Sequence, residues 1–256
     1  WINDHQEYPA IVETFNKAKT SRFHSSLILE RENKLGKIKE VFENVALEGH
    51  VLGSVARRDS DPYSDLDVWI TFKDEEFIST MKSRMEFFNK IGQVVNVVEP
   101  PQNAPVGGIF SAVLFKTSRR LLTIDFYLCP QSAAFITNES KSIFGESQMV
   151  PVGILGLNPQ KVAVTKDYRI DFCTGFLMTS IKKLARKNEN PLEALFREYN
   201  YLREKYDIPV KEITNLEHTF KELYKVIENL KDVANDKQKK VIIEIKNFAK
   251  LVEENV

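Results

Sequence analysis

The chain has 256 residues, 43% of them hydrophobic and 28% charged, and its 36 basic residues balance 36 acidic ones for a formal charge of zero. Such a chain buries a sizeable core, which excludes intrinsic disorder and fibrous repeats. The balanced charge offers no global field for nucleic acid or an anionic membrane, and no apolar run reaches the ~20 residues that a spanning helix requires.

In chain order, roughly the first 40 residues are expected to form helices packed on a sheet. Strand-length apolar runs follow at residues 45–52, 66–72, 94–98, 109–116 and 121–128. Between the second and third, residues 75–91 carry Phe77, Ile78, Met81, Met85 and Phe88 at helical spacing. Gly145, Pro151, Gly153, Gly156 and Pro159 then interrupt regular structure.

After about residue 166 the pattern becomes helical. Phe172, Phe176, Leu177, Ile181 and Leu184 form one stripe, and Asn190-Pro191-Leu192-Glu193 reads as an N-cap, a first-turn proline and an acid. Leu216, Phe220, Leu223, Ile227 and Leu230 mark a third helix, and Val241, Ile245, Phe248 and Val252 a fourth. The expected architecture is α+β: a mixed sheet with flanking helices over residues 1–140, a linker over 141–165 and a helical bundle over 166–256.

Cys129 and Cys173 sit in apolar segments without CxxC spacing and read as buried thiols. The amino end lacks a basic-then-apolar leader pattern, so the expected location is cytoplasmic. The histidines His5, His24, His50 and His218 show no metal-ligand spacing.

The chemistry concentrates in Gly49-His-Val-Leu-Gly-Ser-Val-Ala-Arg-Arg-Asp-Ser-Asp-Pro-Tyr-Ser-Asp-Leu-Asp67. Strand alternation puts Asp65 and Asp67 on one face, and two like charges so placed favour a cation between them. Magnesium suits this because it is bound through one or two carboxylates plus substrate phosphates. Gly53 permits close backbone approach, and Ser54 and Arg57 offer donors to phosphate oxygens. A calcium-loop reading from Asp59 fails, because its sixth position is Ser64 instead of glycine and its twelfth is Ile70 instead of glutamate. Asp59 and Asp61 then read as solvated loop acids.

Gly53-Ser54, ten residues, then Asp65-Leu66-Asp67 and an apolar strand resembles the signature of the polymerase-beta-like nucleotidyltransferase superfamily. With the helical second half, "GSVAR" looks most like antibiotic adenylyltransferases acting on aminoglycosides or lincosamides. The resemblance implies a nucleotidyltransferase fold, magnesium, as two ions, on Asp65, Asp67 and a third carboxylate, and ATP or another nucleoside triphosphate as donor. Asp125, the lone acid of its apolar strand, is the candidate third carboxylate, as metal ligand or as base. Gly53, Ser54, Arg57 and Ser64, with Lys182 from the helical half, are the candidate nucleotide contacts. Many relatives have glycine where this chain has Arg58.

The implied reaction moves a nucleoside monophosphate onto the hydroxyl of a small molecule and releases pyrophosphate, in a monomer or homodimer. A protein acceptor and a non-catalytic nucleotide sensor are the competing expectations. Nucleic acid is not an expected partner, because no basic stripe with interleaved aromatics appears.

Overall fold

A computed structural model describes residues 7–134, 139–146, 165–207 and 218–256. Helix α1 (Glu7–Phe42) leads into β1 (Glu48–Leu52), the short α2 (Gly53–Arg57) and β2 (Leu66–Phe72). Helices α3 (Asp74–Lys82) and α4 (Arg84–Ile91) precede β3 (Gln93–Val98), β4 (Ile109–Lys116), β5 (Leu121–Pro130) and β6 (Lys141–Phe144). Helices α5 (Lys166–Ala185), α6 (Glu193–Tyr206), α7 (Phe220–Val233) and α8 (Asp236–Glu253) follow. Among the described residues the architecture is therefore α+β, and no helix is long and apolar enough to cross a membrane.

The six strands form one mixed sheet in the order β3-β4-β5-β2-β1-β6, with β2 and β5 parallel and the other pairs antiparallel. On one face, Leu66, Val68, Ile70 and Phe72 of β2 pack with Ile38 and Phe42 of α1, Phe77 and Met81 of α3 and Phe88 of α4. The alternation expected for β2 is realised, because the opposite face receives Asp67, Trp69 and Thr71.

On that opposite face, Leu114 and Leu121 join a second core with the apolar stripes of α5, α6, α7 and α8. Phe23 and Leu27 of α1 enter this second core, so one 36-residue helix braces both. Cys129 and Cys173 are buried free thiols, as their apolar settings predict.

Several local expectations are corrected. Residues 75–91 form two helices divided at Ser83, where Arg84 donates to the Met81 carbonyl at 2.7 Å and its guanidinium grips Glu99 beyond β3. Ile78, a member of the expected stripe, is thereby left 65% exposed. Asn190 caps nothing through its side chain: it adopts a left-handed φ of 49°, and α6 begins only at Glu193. The stretch read as linker contributes β6, which pairs with β1. Pro151, Gly153, Gly156, Pro159 and Leu216 lie outside the described residues.

Candidate active site

Parallel pairing of β2 with β5 sets Asp67 directly opposite Asp125. Register partners in neighbouring strands share a face, so both carboxylates rise from the same side of the sheet. Asp65 stands one residue before β2. Antiparallel pairing of β1 with β2 brings Leu52 opposite Asp67, and the chain turns there into α2 through Gly53 at φ 62°. A Cβ at Gly53 would lie 2.7 Å from the Asp67 Oδ2 atom. Glycine is required here twice over, by conformation and by closeness.

Helix α5 supplies the only cation in direct contact with these acids among the contacts described: the Lys182 ammonium donates to Asp65 Oδ2. Lys182 is buried, and Asp65 Oδ1 is buried without a hydrogen-bond partner. Burial, followed by the charge of Asp65, pushes the Asp67 carboxyl up to about 6, and Lys182 and Arg57 offset only part of this. Asp125 is half-buried, and burial followed by the charges of Asp65 and Asp67 holds its proton affinity well above the ordinary carboxylate range.

The loop that delivers Asp65 is clamped by arginines from three elements. Arg31 of α1 donates to the Asp61 carbonyl at 2.7 Å and to Ser60 Oγ at 3.0 Å. Arg120 donates to the Pro62 carbonyl at 2.9 Å and the Leu27 carbonyl at 3.3 Å. Arg186, at the end of α5, grips both oxygens of Asp61 at 2.5 and 2.9 Å. Burial works against the charge on Asp61, but the bonds from Arg186, Tyr63 and Ser64 hold its carboxyl below the ordinary value. Asp61 is thus a structural acid of the loop, which corrects the reading of it as merely solvated. Asp59 is exposed, as expected.

The structure therefore brings together Gly53, Asp65, Asp67, Asp125 and Lys182. Ser64 and Arg57 are engaged with other partners. The Ser64 hydroxyl is engaged with Asp61 at 3.2 Å, inside the loop. Arg57 lies at the surface between Asp59 at 3.1 Å and Glu139 at 2.7 Å. Ser54 contributes its carbonyl to the Asp59 N–H at 3.0 Å. Arg58 occupies the left-handed region at φ 66°, which explains why glycine would be at home in that position.

A cavity of about 240 Å³ opens beside the acids, between the β3–β5 face and α5, and Asp65, Asp125 and Lys182 all border it. Its walls include Phe172, Phe176 and Gly175 of α5, none of which the sequence patterns singled out as functional. The usable signal was Gly175, a helix-interior glycine in an otherwise well-formed helical pattern.

Three half-buried carboxylates, with Asp125 beside the charges of the other two and Asp65 carrying an unpartnered oxygen, make a hard, all-oxygen environment that fits a magnesium ion. Against this, Lys182 engages Asp65, and no three His, Cys, Asp or Glu side chains among the described residues form a ready-made metal cluster. No protein-family model matches the chain, and neither does any curated protein.

Proposed function

We propose that the chain is a magnesium-dependent nucleotidyltransferase with a nucleotidyltransferase fold, moving AMP or a related nucleoside monophosphate from its triphosphate onto the hydroxyl of a small molecule. The observation that carries this reading is the in-register pairing of Asp67 with Asp125 beneath Gly53, with Asp65 at the head of the same strand. Partly buried acids whose proton affinity is raised by burial and by neighbouring carboxylates are costly to a fold, and such arrangements concentrate at functional sites.

In this reading Asp65 and Asp67 hold the magnesium. Bound there, it would neutralise the carboxylates and the triphosphate and polarise the phosphoryl oxygens. Gly53 lets the backbone meet the triphosphate closely, and Ser54 and Lys182 supply donors to its oxygens. Arg57 is near enough to lower the proton affinity of Asp67, and is the exposed cation for a departing pyrophosphate. Ser64 serves by locking the loop through Asp61.

The acceptor oxygen bonds to the α-phosphorus while the bond from that phosphorus to the α–β bridging oxygen breaks, and the electron pair leaves on pyrophosphate. Asp125, in its ionised form and bordering the cavity, takes the hydroxyl proton. The concave 240 Å³ space beside Asp125 favours a small acceptor over a protein surface.

The test is incubation of the purified chain with magnesium and α-labelled ATP against a panel of hydroxylated small molecules, including aminoglycosides and lincosamides. A labelled adduct with equimolar pyrophosphate is expected, together with its loss in a folded Asp65→Asn variant. Full turnover by Asp65→Asn removes the metal-ligand role; tight ATP binding without any transfer makes the protein a sensor instead.

A further inference from the structure

The charged residues bordering the cavity are Asp65, Asp125 and Lys182, and all three are committed to the chemistry just described. Among the described residues no other carboxylate lines it to pair with an ammonium group of an acceptor. Buried ammonium groups without partners are costly, so a polycationic acceptor is poorly matched to these walls. What the walls do offer is ring surface: Phe110 from β4, with Phe172, Phe176 and Met178 from α5. Phe172 and Phe176 meet edge to face at 5.1 Å and 89°, and both remain only half-buried, so their rings present apolar surface to the cavity. Asn96, which donates to Thr174 Oγ1 at 3.2 Å, sets a neutral polar pair in the same wall.

Gly175 adds an independent observation. It lies inside the 20-residue α5, where glycine costs about 1 kcal/mol relative to alanine. Neither backbone nor packing requires it: its φ is not positive, and a Cβ there would meet nothing within 4 Å. Gly175 is exposed and borders the cavity, so the missing side chain leaves the entrance clear.

We propose that this cavity receives the acceptor as a neutral, hydroxyl-bearing molecule built on an aromatic or alicyclic ring, with Gly175 keeping its entrance open. The inference rests on the nucleotidyl-transfer reading for the word acceptor, but ring binding is measurable without any turnover. The hydroxyl would point toward Asp125 and the ring would lie among Phe110, Phe172 and Phe176. A polycationic aminoglycoside would be excluded by the absence of pairing carboxylates.

The experiment is saturation-transfer NMR on the intact chain, with benzyl alcohol and cyclohexylmethanol as neutral probes and kanamycin as the polycation. Both neutral probes are expected to bind, with NOEs from their ring protons to the Met178 methyl, and kanamycin is not. Gly175→Ala should keep binding within about twofold, whereas Gly175→Phe should weaken it at least about tenfold by filling the entrance. Melting curves confirm that both variants fold, and the NOEs locate the probe whether or not Gly175→Phe does.

Kanamycin binding without the neutral probes, unchanged binding in a folded Gly175→Phe, or probe binding without the Met178 contacts would each overturn the proposal. Calorimetry of the wild type with magnesium and ATP runs alongside. Absence of nucleotide binding there defeats the transfer reading, while the NMR result decides the ring site separately.

Discussion

Asp67 and Asp125 face one another across the parallel β2–β5 pair, and the charges of Asp65 and Asp67 add to burial in making Asp125 harder to ionise. A carboxyl that titrates near 4 in the unfolded chain and near 6 when folded keeps its extra proton only in the native state between those values. The folded form binds more protons there, so stability falls as pH rises from about 4 to 6. Above pH 6 the deficit from Asp67 alone is fully present and on the order of 3 kcal/mol. Asp67→Asn should therefore raise the melting temperature by several degrees at about pH 7.5 and change it little at about pH 4. A lower melting temperature at pH 7.5 would contradict the electrostatic account.

The same repulsion predicts a magnesium effect that needs no substrate. Millimolar magnesium should raise the melting temperature at about pH 7.5, because the ion binds the native carboxylates and not the unfolded chain. Near pH 5 the shift should shrink, since protons compete for Asp67 and Asp125. Asp65→Asn should remove most of it. Differential scanning calorimetry with magnesium against potassium at equal ionic strength checks this, and an equal effect of both salts argues against the site.

At Gly53 the expected damage is both local and chemical. Gly53→Ala must place a Cβ where φ is 62° and Asp67 Oδ2 would be 2.7 Å away. Strain and displacement of the carboxylate should cost about 1–3 kcal/mol of stability and lower transfer at least tenfold. Urea unfolding and an initial-rate assay read the two effects; a variant that matches the wild type in both shows that the turn tolerates a side chain.

Arg120 tests the clamp on the acidic loop. Its guanidinium is buried, burial lowers its proton affinity to about 10, and it donates to the Leu27, Leu121 and Pro62 carbonyls. Arg120→Met strands those acceptors and should cost about 2–4 kcal/mol, seen as a lower urea midpoint. A shift under about 0.5 kcal/mol would mean that Arg31 and Arg186 hold the loop unaided.

Arg58 predicts the opposite sign. At φ 66° a non-glycine residue carries a left-handed conformation that glycine adopts freely. Arg58→Gly should leave stability unchanged or raise it by up to about 1 kcal/mol, since relief of strain outweighs the added unfolded-state entropy. Thermal melts check this, and a clear loss of stability would reveal a contact made by the guanidinium.

Much of the scaffold is legible locally. The alternation of Leu66, Val68, Ile70 and Phe72 dictates a strand with one buried face, and the stripes of α5, α7 and α8 dictate helices. Signals that depend on competition between local and tertiary contacts mislead. Asn190-Pro191 looks like a helix start but turns left-handed, and the stripe over residues 75–91 looks continuous until Arg84 bonds back to Met81. β6 was invisible because four residues at a sheet edge carry too little pattern, and its partner β1 lies some 90 residues earlier.

By itself, the sequence determined which side chains carry charge, which segments have strand or helix periodicity, and that Asp65 and Asp67 share a face, because period and chemistry are local properties of a chain. Only the tertiary structure decided that Asp125 stands in register with Asp67, that Lys182 reaches Asp65 across 117 positions, and that Arg31, Arg120 and Arg186 converge on one loop. Those juxtapositions follow from strand order and from the packing of α5 on the sheet, which bring distant residues together through burial that no local pattern encodes.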